Sequence, residues 1–414
     1  VTIYILSGGT KAVAVTHKQQ MLVIYVGMFT AFGCLIYYLS EYVSFNESLN
    51  VAGALGKMNI ITTGAESGSF DWSDRYNIIS GLIGGLFLQL SYFGTDQSQV
   101  GRYLGGESVK ESRLGLIFNG LMKVPVQFFI LLTGVLVFVF YQFNQPPVYF
   151  NEVAYTQTKN SIYAEELDRL ETAYLAATDN QTKLNRELAE QKVTADAQQT
   201  EILRNSQEQV NGLRTEINAV IKKANPDIDD DHDYIFMHFV MNYLPIGLVG
   251  LLFAVIFSAS MSSTSSALNG LATTFSVDIY KRFINKNASE QQHLIASKVL
   301  TVLFGAMAIG FALVCSMFDN LIEAVNILGS LFYGTILGIF LTAFLLKRVK
   351  GNAVFIAALL SEAIILYLDF SVRYDWNTPQ LTIGYLWYNV IGCLLVMIFA
   401  TLLSLGNRKP SYTT

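Results

Sequence analysis

Outside one segment this sequence has little charge. Charged residues are 14% of the 414, against 52% hydrophobic and 13% aromatic, about half the charge of an ordinary globular chain. Residues Glu152–Asp233 hold 26 of the 59 charged side chains, which leaves 33 for the other 332 residues. That remainder excludes an ordinary soluble domain and fits a chain that crosses a bilayer several times. Cysteine is scarce too. The three present, Cys34, Cys315 and Cys393, sit in apolar stretches, which excludes a disulfide framework. The four histidines, His17, His232, His238 and His293, show no metal-ligand spacing. There is no P-loop, nucleophile elbow or zinc motif, so the reading is of a protein that is not an enzyme and has no nucleic-acid partner. The chain also begins "VTIYILSGG", with neither an initiator methionine nor a basic leader and already inside a hydrophobic segment. The expectation is an N-terminally truncated chain.

What is present is apolar length. Runs near the ~20 residues needed to cross a bilayer lie at Gln20–Ser40, Tyr76–Phe93, Leu114–Phe143, Tyr243–Asn269, Leu294–Phe318, Leu321–Leu346, Asn352–Phe370 and Thr382–Leu405. Eight spanning helices are expected, and the fold class is an all-α polytopic membrane protein in the lipid bilayer. Irregular backbone exposed to lipid could not satisfy its polar groups.

Charge also orients the chain. With the loop "GGTKAVAVTHKQ" placed inside, 15 of the 18 basic residues beyond the insertion face the cytoplasm, and only Lys57, Arg75 and Arg373 face out. This positive-inside bias puts Trp72, Trp376 and Trp387 near the outer interface, where aromatic belts form. Three parts follow: membrane helices over 1–150, an extracytoplasmic helical hairpin over 151–233, and membrane helices over 234–414. The charged part carries Leu167, Leu170, Tyr174, Leu184, Leu188, Leu203, Val210, Leu213, Ile217 and Val220 at roughly helical intervals. They predict two long helices broken near Thr194–Gln199, without sustained heptads. This part is also where an extracytoplasmic partner would bind. "NPDIDDDHDY" at its end lacks the glycine and terminal glutamate of a Ca²⁺-binding EF-hand loop and reads as a solvated helix-capping loop.

Three stretches carry chemistry, each with a plainer alternative. In "FSASMSSTSSALNG", Phe257–Gly270, positions Ala259, Ser262, Ser263 and Ser266 share one helix face. Hydroxyls and loosened carbonyls suit a monovalent cation that must bind and then leave, and small residues equally suit close helix packing. In "LQLSYFGTDQSQVGRYLGG", Leu88–Gly106, an apolar helix meets Gly94 and then a polar run. That is either a helix broken at the midplane to build a substrate site or a helix ending at the cytoplasmic face. Lys123, ten residues into an apolar run, is either a functional charge or one that snorkels to the interface.

Together these stretches resemble the sodium/solute symporter family, whose members include sodium–sugar cotransporters with the LeuT-type fold of two inverted five-helix repeats. "ASMSSTSSALNGLATTFSVDIYKR" is similar to that family's sodium-site helix and its D-[IL]-Y-K ending. "SGGTKAVAVTHKQQM" is similar to its G-G-x-x-A-V-x-x-T-D-x-x-Q loop, and "YFGTDQSQVGRYL" to its broken helix with a Q-x-x-x-x-R tail. The resemblance implies Na⁺ as coupling ion, held by the Ala259 carbonyl and the Ser262 and Ser263 hydroxyls, with Ser265 and Ser266 at a second sodium site. It places Tyr92 on the gate beneath the substrate, Gln89 and Phe93 beside it, Lys123 near the gate, and Asn326 facing the substrate. Two departures stand out. His17 replaces the family's usual aspartate at the second sodium site, and of the first repeat only the last helix, Gln20–Ser40, is expected to be present. The implied activity is Na⁺-coupled symport of a small organic solute (a sugar, or a carboxylate or amino-acid-like molecule) across the cell membrane. A transporter-like solute sensor and an uncoupled facilitator are the alternatives.

Overall fold

The structure, a computed structural model, describes the whole chain except residues 1, 60, 66–67, 75, 105–107, 191–196, 227, 229, 316–320, 374–382 and 407–414. Within helices the side chains at 2–18, 102, 104, 188, 190, 197, 262, 314–315, 321–324, 372–373 and 406 are also outside the described set. His17, Ser262, Cys315 and Trp376 therefore have no side-chain account here. Among the described residues the regular structure is helical throughout. The elements are α1 (Thr2–Leu39), α2 (Phe45–Ala54), a π-helical turn (Ser80–Gly84) leading into α3 (Gly85–Thr95), α4 (Gln97–Leu104) and α5 (Val109–Phe143). Then come α6 (Glu152–Lys159), α7 (Ala164–Glu190), α8 (Ala197–Ala224), α9 (His232–Tyr243) and α10 (Ile246–Thr274), which continues as a π-helix (Phe275–Ile284). The chain ends with α11 (Glu290–Cys315), α12 (Leu321–Leu345), α13 (Gly351–Arg373) and α14 (Leu386–Gly406).

Seven described helices are long and apolar enough to cross a membrane, which makes this a multi-pass membrane protein. The eighth expected span, Tyr76–Phe93, is replaced by the π turn and α3, 16 residues in all from Ser80 to Thr95. That is ~24 Å of helix, short of the ~30 Å hydrocarbon core. The segment "GGTKAVAVTHKQ", expected as a loop, continues α1 as helix. Nothing between Thr2 and Leu39 is a proline, and the glycine pair Gly8–Gly9 weakens a helix without breaking it.

The chain forms two compact units. One comprises residues 1–9, 60–116 and 265–414, the other 10–59 and 117–264, so the division falls inside α10. In the first unit α12 lies against α14 with almost no side chain between them. A Cβ at Gly334 would meet the Asn389 carbonyl oxygen at 2.6 Å, and one at Gly338 the Cys393 carbonyl oxygen at 2.8 Å. Small residues four apart allow this approach, which lipid-embedded helices use in place of a hydrophobic drive. The Trp72 and Trp387 rings lie 5.0 Å apart, and the Trp72 carbonyl accepts from Gly384 N–H at 2.8 Å.

In the second unit Leu35, Leu39, Leu136, Phe140, Phe143 and Phe239 form a core where α1, α5 and α9 meet, and Ala189 of α7 packs against it. The α7–α8 hairpin has a core of its own, with Leu167, Tyr174, Ile217 and Val220 all at most 2% exposed. The hairpin lies on the membrane helices of its unit and is fixed at several points along its length. Asn185 donates to the Gln142 carbonyl at 3.0 Å, Arg186 to the Phe143 carbonyl at 2.8 Å, and Arg204 to the Ala54 carbonyl at 2.9 Å. The first two bonds satisfy carbonyls at the C-terminus of α5, the end that attracts cations.

The loop read as solvated is mostly exposed among its described residues, with Asp231 the exception. Asp231 is fully buried, pairs with Arg214 at 2.6 Å and accepts from Phe150 N–H at 2.6 Å. It ties α8 to the strand of chain that leaves α5. Alongside, His238 Nδ1 lies 2.7 Å from the Tyr141 hydroxyl. Burial holds its pKa below the ordinary value, with the charge of Glu152 partly opposing the shift. A lowered histidine pKa means that the folded state prefers the neutral ring. The stability this gives is complete above the unfolded value, near pH 6.5, and is lost as pH falls through the lowered folded value. Purified protein is expected to melt at lower temperature as pH drops from about 7.5 to about 5, and His238→Gln to flatten that dependence. An unchanged acid slope in the variant would assign the effect to other groups.

Candidate functional site

The break between α3 and α4 is where the first unit gathers its polar groups. Thr95 returns its hydroxyl to the Ser91 carbonyl at 2.9 Å, so α3 continues through Gly94 and stops at Asp96. The break therefore lies two residues beyond the glycine that the sequence points to. Asp96 has extended backbone (φ −74°, ψ 115°), and its carboxylate caps α4. Oδ1 accepts from Ser98 N–H at 2.8 Å and from the Ser98 hydroxyl at 2.6 Å, as an N-cap aspartate does. The other oxygen, Oδ2, accepts from the Tyr333 hydroxyl of α12 at 3.2 Å.

Depth bears on the choice between a helix end and a broken helix. Ser91 donates to the Tyr333 carbonyl at 2.8 Å, and Tyr333 is the middle residue of α12 (Leu321–Leu345). Ser91 is therefore level with the centre of a spanning helix. Asp96 comes five residues later, ~7 Å further along the axis, well inside the ~15 Å half-thickness of the hydrocarbon. Irregular backbone at such a depth is tolerated where it is enclosed by protein or lines a cavity.

Around this break Tyr92 is half-buried, accepts from Gln99 Nε2 at 2.6 Å, and has its ring 5.1 Å from Phe93 and 6.4 Å from Tyr333. Gln89, one turn earlier, is exposed. The hydroxyl stretch of α10 meets the same break. Ser266 donates to the Ser98 carbonyl at 3.3 Å, and Ser265 is fully buried. At Gly270 a Cβ would already be 3.4 Å from the Ser98 backbone. Asn326 is half-buried on α12, two turns before Tyr333 and so on its face.

The remaining expected residues lie in the second unit. Ala259 is half-buried, and Ser263 and Lys123 are exposed. The structure thus brings Tyr92 and Ser266 to the break at Asp96 and Ser98, with Phe93 beside Tyr92, and leaves Gln89 exposed. Tyr333 was absent from the sequence reading. Its signal was its spacing, seven residues after Asn326 on a helix already noted for that residue. Among the described residues no cluster of His, Cys, Asp or Glu could hold a metal. A monovalent ion at α10 would rely on hydroxyl and carbonyl oxygen.

Residues 216–361 match the Sodium:solute symporter family. Over that stretch the chain is similar to the sodium:solute symporters. Over 166 residues it is 31% identical to a sodium/sialic acid symporter of Aliivibrio fischeri, which is 40% of this chain and 31% of that one. Over 293 residues it is 22% identical to a sodium/glucose cotransporter of Vibrio parahaemolyticus, 70% of this chain and 41% of that one. The chain thus spans less than half the length of these curated relatives. A solved Na⁺-coupled sialic acid symporter in a substrate-bound, outward-open state shares its fold, with TM-score 0.62 at 21% identity over 98% of this chain and 65% of that one. The helical, LeuT-type fold class expected from the symporter resemblance stands. The family match includes the serine stretch of α10 and Tyr333, and Asp96 lies before it.

Proposed function

We propose that this protein is part or all of a secondary active transporter that couples Na⁺ entry to uptake of a small organic solute by alternating access. The observation that carries this reading is the break at Asp96, at membrane depth, with Tyr92, Tyr333 and the Ser266 end of the hydroxyl-rich helix packed around it. Na⁺ is held through the Ala259 carbonyl and the Ser262 and Ser263 hydroxyls, with Ser265 and Ser266 as a second set of oxygens. The solute, of the sugar or carboxylate kind, contacts Tyr92 and Phe93 with Asn326 as a further contact. The relatives' sialic acid and glucose are both polyhydroxylated, which favours a solute rich in hydroxyls. The 15-to-3 division of basic residues supports a cell-membrane protein with residues 151–233 outside, where an extracytoplasmic partner would meet them.

The test is Na⁺-stimulated uptake in cells. Ser262→Ala with Ser263→Ala is expected to leave membrane abundance unchanged and to abolish stimulation by Na⁺. Either single variant should raise the Na⁺ concentration for half-maximal uptake by roughly tenfold, the effect of about 1.4 kcal/mol in ion binding. Thr264→Ala, on the opposite face, should be nearly silent. Close packing needs only small residues, so wild-type Na⁺ dependence in the double variant would reduce the serine face to a packing surface.

A further inference from the structure

The connector between α12 and α13 is short, fixed and cationic. α12 ends at Leu345, Val349 N–H bonds back to the Leu346 carbonyl at 3.0 Å, and α13 opens with Ala353 N–H on the Lys350 carbonyl at 3.0 Å. Val349 packs into the α13–α14 core, and Ser404 of α14 donates to the Arg348 carbonyl at 3.3 Å. With the backbone pinned on that side, Lys347, Arg348 and Lys350 are left exposed. Among the described residues none of the three is paired with a carboxylate. They line a cavity of about 1050 Å³ completed by Thr401, Ser404 and Leu405.

Two more features give this cavity its chemistry. The first turn of α13 carries no acidic residue, and a Cβ at Gly351 would meet nothing within 4 Å. Gly351, at the start of a long helix, thus lines the same space as three cations, an arrangement suited to an anion. Leu345 and Leu405 also line it, 65% and 52% exposed, and both lie at the ends of spanning helices, where lipid chains begin. Exposed cations and exposed apolar residues lining one cavity at the ends of spanning helices together match the boundary of a charged lipid.

We propose that this cavity binds the phosphate headgroup of one anionic phospholipid, with its acyl chains against Leu345 and Leu405. Basic residues at a membrane surface contribute about 1 kcal/mol each toward anionic lipid, so losing all three should weaken retention about a hundredfold. The experiment is native mass spectrometry of the purified protein after exchange into vesicles of phosphatidylglycerol or of phosphatidylcholine. The wild type is expected to retain phosphatidylglycerol and not phosphatidylcholine. Lys347→Gln, Arg348→Gln, Lys350→Gln combined should lose it, and Lys281→Gln with Arg282→Gln, outside the cavity, should keep it. Equal retention of both lipids by the wild type, a comparison that needs no variant, would overturn the proposal. So would undiminished retention in the triple variant, or displacement of the lipid by excess inorganic phosphate, which would mark a site for the free anion.

Discussion

Asp231→Ala is expected to cost about 3–5 kcal/mol, the usual penalty for removing one partner of a buried ion pair. The carboxylate is fully buried and its partner Arg214 is 18% exposed, so the lone guanidinium left behind would be poorly hydrated. Its ring contact with Phe150, 5.0 Å to the centroid, does not replace a lost charge. Phe150 N–H, which donates to Asp231 at 2.6 Å, would lose that acceptor while buried, a further cost of about 1–3 kcal/mol. Because these groups join α8 to the chain leaving α5, the loss should appear as early melting and protease cleavage of the hairpin. Asp231→Asn keeps an acceptor for Phe150 and should fall between. Asp230→Ala removes an exposed carboxylate that contacts His232 at 2.8 Å and should change little, as surface pairs do. Melting of Asp231→Ala within a degree or so of wild type would show that this pair does not hold the hairpin.

Uptake by Asp96→Ala is expected to fall at least about tenfold at normal membrane abundance. The substitution removes an N-cap, about 0.5–2 kcal/mol, and leaves the half-buried Tyr333 hydroxyl without its acceptor, about 1–3 kcal/mol. Both costs fall on the local geometry of the break, since α12 and α14 keep their own glycine-mediated packing. Asp96→Asn keeps its oxygen as the cap acceptor for Ser98 and turns its NH2 to the Tyr333 hydroxyl, which can accept from it, so it should fold nearly like the wild type. Its uptake then reads the need for charge separately from the need for a cap. Wild-type transport by Asp96→Ala would return the break to an ordinary helix end.

Periodic features were legible in the sequence and paired features were not. The apolar positions from Leu167 to Val220 marked the hairpin because burial on one helix face repeats every three or four residues. The hydroxyl face of α10 was visible for the same reason. By contrast, Asp96 meets Tyr333 across 237 residues, and a single polar contact leaves no period. Asp231 sat in a run of acidic residues whose composition reads as solvated. Only the fold brings Arg214 to it. Hydropathy alone also overstated Tyr76–Phe93, because a window average cannot register the π turn at Ser80–Gly84 or the cap at Asp96.

The docking of the hairpin has a practical consequence for imaging. Membrane proteins hidden in a detergent micelle offer few external features by which single particles can be aligned. Here two packed helices, 27 and 28 residues long, are clamped to α5 and α2 through Asn185, Arg186 and Arg204 and require no engineered fusion. An antibody fragment raised against the exposed acidic side of α7 would extend that marker. Its orientation would report the tilt of α5 directly, without a label inside the membrane.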